Sequence, residues 1–135
     1  MSLFQWIDFQ KLGDERGSLV AIEIGKEKAV PFEIKRVYYS YETRSDVRRG
    51  LHAHKELKQV AICVSGSCRM VFDDGNQRQE KILDIPEKGL LIDKMIWHEM
   101  YDFSPDCVLL VLASDHYNED DYIRSYSEFI KVARR

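Results

Sequence analysis

The chain has 135 residues, 44% of them hydrophobic and 32% charged, with a formal net charge of −3. That size suits one domain with a real core, and the balance is that of an ordinary globular protein. The slightly acidic total argues against a general nucleic-acid binder, though it leaves room for a local basic pocket. Met1 to Asp8 has no basic stretch followed by an apolar run, so it does not read as a signal peptide. No segment approaches the roughly 20 apolar residues of a membrane helix. Cys63, Cys68 and Cys107 lie among apolar strand residues without CxxC spacing. Buried thiols in a reduced, cytoplasmic protein are the expectation.

Short β-runs separated by turns dominate the chain. The turn-like Gly13 to Gly17 precedes a β-rich Ser18 to Ile24. Glu33 to Tyr41 follows, then His52 to His54, Gln59 to Ser65, and, after Gly66, Ser67 to Phe72. Asp73-Asp74-Gly75-Asn76 is a hairpin turn with Gln77 to Leu83 as the returning strand. Leu90 to Ile92, Trp97 to Tyr101 and Val108 to Ser114 complete about nine or ten strands. Such spacing predicts an antiparallel sandwich or barrel, with no βαβ rhythm. From Asn118 to Arg135 the apolar positions Tyr122, Ile123, Tyr126, Phe129, Ile130 and Ala133 recur at helical spacing. The expected organisation is one domain over 1–135, a barrel over 1–117 and an external helix over 118–135, capped by Asn118 or Asp120. Trp6 to Ile24 is suited to completing a neighbour's sheet.

The most informative run is Arg48-Arg49-Gly50-Leu51-His52-Ala53-His54-Lys55. Strand side chains alternate, so His52 and His54 share a face and Ala53 takes the other. Two imidazoles between basic flanks suit proton transfer beside an anionic ligand, or they hold a metal. His-x-His in a strand, a Gly about ten residues on, and a later His beside a Trp resemble the cupins, small jelly-roll barrels. Metal-binding cupins carry a Glu five residues after the second His; here Gln59 stands there, and His98 takes the last ligand position. Three histidines alone can hold iron or zinc, so the count does not exclude a metal.

Longer runs sharpen the likeness. Asp14 to Leu19, Ile34 to Tyr39, Arg49 to Lys55, Val64 to Cys68, Trp97 to Met100, Val111 to Asp115 and Asp121 to Arg124 resemble the dTDP-4-oxo-6-deoxyglucose 3,4-ketoisomerases, in order and over nearly the whole chain. That resemblance implies an all-β, metal-free cupin homodimer without a cofactor. Its partner is a small-molecule substrate, a dTDP-linked 4-oxo-6-deoxyhexose, with no nucleic acid or membrane. The keto group moves from C4 to C3, and amination at C3 then yields 3-amino-3,6-dideoxy sugars for surface glycans.

Such a reaction needs a base of near-neutral pKa for C3 and a second group for the oxygens. His52 is the expected carbon base and His54 the proton shuttle. Tyr39, Arg49 and His98 are candidate donors to the enediolate, with Tyr39 otherwise a packing residue. Arg16, Arg36, Arg49 and Lys55 are candidates for the diphosphate; Arg48 alternates away. Within the resemblance, Arg16 paired with His98 points to the galacto product, with an axial C4 hydroxyl, over gluco. The other readings carried forward are a metal-dependent cupin of the dioxygenase type using His52, His54 and His98, a non-catalytic sugar-nucleotide-binding cupin, and a related sugar epimerase.

Overall fold

The computed structural model describes residues 3–24 and 29–134. Its strands are β1 (Gln5–Asp8), β2 (Leu12–Asp14), β3 (Gly17–Leu19), β4 (Arg36–Tyr41), β5 (Arg49–His54), β6 (Gln59–Ser65), β7 (Cys68–Asp73), β8 (Arg78–Leu83), β9 (Lys88–Ile92), β10 (Trp97–Tyr101), β11 (Val108–Ala113) and β12 (Tyr122–Ile123). Helix α1 (Tyr126–Ala133) closes the described chain. Two antiparallel five-stranded sheets, ordered β1-β9-β6-β11-β4 and β12-β5-β10-β7-β8, make the jelly roll, and β2 with β3 forms a separate hairpin.

Alternation explains the layers. Ala61, Cys63, Leu109 and Val111 from one sheet meet Cys68, Met70, Phe72 and Leu83 from the other in the barrel interior. The opposite parity of β6 and β11, Val60, Ile62 and Leu112, packs outward beneath Ile7, Phe9 and Val30. Among the described residues no helix is long and apolar enough to cross a membrane.

Two sequence expectations change. Ser18 to Ile24 is a strand only to Leu19. β1 pairs with β9 of its own chain, Gln5 opposite Leu91, and stands as an edge strand of that sheet. The helix is shorter than 118–135: Asn118 caps a 3₁₀ turn over Glu119–Asp121, β12 follows, and Ser125 caps α1, its hydroxyl accepting from the Glu128 N–H. Tyr122 and Ile123 sit at helical spacing, yet strand pairing with His54 and Ala53 captures them. Arg135 lies outside the described residues. Helix α1 does pack outside the barrel, where Phe129 is fully buried with Ala53, Trp97 and Ile123.

Candidate active site

A cavity of about 410 Å³ opens between the two sheets, with His52 in its wall. Strand β5 reaches it through an irregular step. Gly50 (φ 79°) and Leu51 (φ 58°) both lie in the left-handed region. The register with β10 shifts there, His98 opposing His52 and Glu99 opposing Gly50. A bulge of this kind re-aims the side chains that follow it, and strained backbone beside a cavity points to function. A Cβ on Gly50 would stand 2.9 Å from the His98 carbonyl oxygen, which explains the glycine.

Beyond the bulge the two histidines do share a face. The His52 ring centre lies 4.9 Å from that of His54 and 4.6 Å from that of His98. Each ring donates its Nδ1–H to an oxygen: His52 to the Gly50 carbonyl at 2.9 Å, His54 to the Asp121 carboxylate at 3.2 Å, His98 to the Ile96 carbonyl at 3.2 Å. That fixes one tautomer in all three and leaves Nε2 as the bare nitrogen. Burial pushes all three pKa values down. His54 falls to about 4, with the neighbouring His52 adding to the effect and Asp121 opposing it. His98 goes well below its ordinary value, and His52 moves the same way against the pull of the Gly50 carbonyl.

The other expected residues divide. Arg36 and Arg49 line the cavity with His52. His54 and His98, each 3% exposed, are absent from that lining and stand behind His52. His54 instead borders a second cavity of about 170 Å³ with Asp121. Arg36 and Tyr122 line both spaces. Lys55 faces a shallow outer depression beside Arg124 and Ser125, because a strand residue next to His54 points the other way. Arg16 sits on the β2–β3 hairpin, highly exposed and paired with Asp14 at 2.6 Å; it does not reach this chain's cavity. Arg48, expected to face outward, is exposed, and its guanidinium pairs with the buried Glu99 at 2.7 Å.

Tyr39 is at the margin of the site. It borders the cavity, but it is 61% exposed and its ring packs by Tyr41, the centres 6.1 Å apart. The face shared by Arg36, Tyr38 and Ser40 turns toward the site. Gln59 donates its amide N–H to the Tyr38 hydroxyl at 2.5 Å, and enclosure pushes that hydroxyl's pKa up to about 12. Tyr38 therefore stays protonated and keeps its own O–H to donate. Sequence reasoning also passed over Asp121, Tyr117, Tyr122 and Arg124. Tyr122 packs on both His54 (4.4 Å) and His52 (4.9 Å). Arg124 reaches the rim, fastened to Glu119 at 2.7 Å.

Among the described residues, the buried side-chain nitrogens with no hydrogen-bond partner are Arg36 Nε and His54 Nε2. Both belong to this site. Native interiors rarely leave such groups unmatched unless a ligand or a reaction uses them. The trio can also accept a metal, since its ligand nitrogens lie within 4.8 Å of one another. Gln59, at the carboxylate position of metal cupins, is engaged on Tyr38.

Comparison with known proteins bears on the same geometry. The family described as FdtA, WxcM-like, C-terminal, matches residues 2–134. The TDP-4-oxo-6-deoxy-alpha-D-glucose-3,4-oxoisomerase of Aneurinibacillus thermoaerophilus is 57% identical over 125 residues, 93% of this chain and 88% of that protein. A 3,4-ketoisomerase from Helicobacter canadensis superposes with a TM-score of 0.92 at 49% identity, covering 98% of each chain. QdtA, the sugar 3,4-ketoisomerase of Thermoanaerobacterium thermosaccharolyticum solved with TDP, gives 0.93 at 42% identity, covering 98% of this chain and 95% of that one. With a jelly roll of matching topology and a histidine-lined cavity between its sheets, this chain belongs to the WxcM-like family of sugar 3,4-ketoisomerases.

Proposed function

We propose that the protein converts TDP-4-oxo-6-deoxyglucose to the TDP-3-oxo-6-deoxy sugar, with His52 as the carbon base. The observation that carries this is the His52 ring itself: it stands in the cavity wall, neutral, with Nδ1–H donated to the Gly50 carbonyl and Nε2 left to accept a proton. Nε2 takes the proton from C3, which is acidified by the C4 carbonyl, and an enediolate forms across C3 and C4. The proton on the C3 oxygen passes to the C4 oxygen, and His52 returns the carbon proton to C4. One C–H bond breaks and one forms, the ketone ends at C3, and no electrons leave the sugar.

Tyr38 and Arg36 are the proposed donors to the enediolate, with Tyr39 displaced from that role by its outward ring. His54, held by Asp121, serves behind His52 as the shuttle. Arg49 and Arg124 at the mouth are placed to meet a diphosphate. The galacto product is part of the proposal, resting on the Arg16 and His98 pairing of the sequence resemblance. So is amination of the 3-oxo product toward cell-surface glycans, O-antigen or S-layer, from a cytoplasmic enzyme. A homodimer is proposed as well. Val37, Tyr39 and Tyr41 form an exposed strip on β4, an edge strand, which supports a second copy there.

Incubation with TDP-4-oxo-6-deoxyglucose in heavy water, followed by NMR, tests the reading. The ketone should relocate to C3, with deuterium entering at the ring and the C4 configuration visible in the couplings. An unmoved ketone overturns it. The convergence of three imidazoles favours a second, metal-dependent reading; stoichiometric iron or zinc whose removal abolishes turnover would favour it over the first.

A further inference from the structure

A second trio of ligand-bearing side chains lies apart from the histidines. Cys63 on β6 and Cys68 at the start of β7 flank the turn Ser65-Gly66-Ser67, and Cys107 stands just before β11. Leu109 of β11 opposes Cys63, with a register shift between Val108 and Leu109 beside it. The Sγ atoms of Cys63 and Cys107 are 3.5 Å apart, and all three sulfurs lie within 4.8 Å of one another. Exposure is 1%, 1% and 3%, and all three thiols are free. Met70, Leu83, Phe103 and Leu109 surround them. Among the described residues no His, Asp or Glu ligand atom joins the group.

The cover over the trio is stitched by hydrogen bonds. Ser104 N–H donates to the Ser67 carbonyl at 2.9 Å, Ser67 N–H donates to Ser104 Oγ at 2.8 Å, and that hydroxyl donates to Asp106 at 2.8 Å. Gly66, at φ 67°, permits this closure: a Cβ there would stand 2.2 Å from Ser104 Oγ. Ser65, Gly66 and Ser67 are half-exposed, so one turn separates the sulfurs from solvent and supplies an entry path.

We propose that Cys63, Cys68 and Cys107 form a closed three-sulfur site for a soft monovalent cation of the Cu(I) class. Thiolate ligands select copper(I), zinc or iron–sulfur centres. Structural zinc takes four ligands from Cys, His and carboxylate, and the fourth is missing here; three sulfurs satisfy a three-coordinate soft ion. Each thiol that ionises on binding releases its proton to solvent, so uptake weakens as the pH falls. Simple packing of three small thiols predicts no retained ion.

The full-length protein, anaerobic and reduced without added thiol, is titrated with Cu(I) against the chelator bicinchoninate, and the bound ion is examined by X-ray absorption. The expected result is one ion per chain drawn from the chelator, with sulfur alone as its nearest neighbours. Cys68→Ala should weaken binding by roughly ten-fold or more while metal-free turnover of the sugar stays at the wild-type level. A nitrogen-ligated ion would belong to the histidine trio and overturns the proposal, as does failure to compete with the chelator. Should the variant not fold, wild-type spectroscopy decides, because the chain holds no other cysteines.

Discussion

Two trios share one barrel, and they are built on opposite principles. Each imidazole is tethered through Nδ1 to an oxygen that sets its tautomer and direction, and His52 opens onto a cavity of about 410 Å³. The thiols meet mainly each other, with one bond from Cys63 Sγ to the Ser65 carbonyl, beneath a stitched turn. The histidine end also tolerates two unpaired buried nitrogens, Arg36 Nε and His54 Nε2. Leaving such a group unpaired costs about 1–3 kcal/mol, a cost that packing alone has no reason to carry. Of the histidines, His52 is both oriented and open to the cavity, with His54 and His98 buried behind it, whereas all three thiols are enclosed.

The sharpest way to break this contrast is His52→Asn. Turnover should fall by about 10⁴-fold, measured by NMR conversion, with TDP binding and thermal unfolding close to wild type. A fully active variant would move the chemistry off this ring. Asp121→Asn follows, with kcat expected to drop by about 10²-fold and KM little changed. Asp121 also accepts the backbone N–H groups of Glu56 and Leu57, so circular dichroism must accompany the assay. Unchanged turnover in a folded variant would reduce the His54–Asp121 pair to scaffolding.

The sequence carried the part of this arrangement that depends on period. Alternation put His52 and His54 on one face, and they are there. Turn chemistry placed Asp73 to Asn76 between β7 and β8. Which parity faces inward was beyond it, because β4 carries tyrosines on both sides. Pairing with β11 sets Tyr38 beside Val111, on the inward parity, and Tyr39 beside Leu110, on the outward one, so Tyr39 only borders the cavity. Long-range pairing likewise took Tyr122 from the helical pattern, although Ser125, a good N-cap, marked the true start of α1. Arg16 reads as a turn residue and is one; its distance from the cavity is a tertiary fact that no local signal encodes.

Acid titration sharpens the contrast from the stability side. In the unfolded chain His54 titrates near its ordinary 6.5, and in the fold near about 4. The unfolded state therefore takes up the proton first, and stability falls as the pH drops from 6.5 toward 4, levelling below. At about 1.4 kcal/mol per unit the loss is on the order of 3 kcal/mol, and His98 pulls the same way. Urea unfolding between pH 7 and 4 measures it, and His54→Gln should flatten the slope. Gly50→Ala comes next, costing about 1–3 kcal/mol for a side chain held at positive φ, since its Cβ meets the His98 carbonyl. Turnover should fall with it, because His52 hangs from the same bulge; unchanged kcat would detach the bulge from catalysis.

The smallest effect tests whether the two trios are independent. Cys107→Ala removes one buried sulfur, 3% exposed, from the cluster it shares with Phe103 and Leu109. A void of about one methyl group costs roughly 1 kcal/mol, read as a modest loss in unfolding midpoint. Turnover should not change, because the cluster residues that also line the sugar cavity are Met100, Leu109 and Val111. All three are apolar and carry no titrating proton and no charge. A ten-fold fall in kcat from Cys107→Ala would mean that packing passes strain along β11 to the histidines, and the barrel would then be one coupled site rather than two.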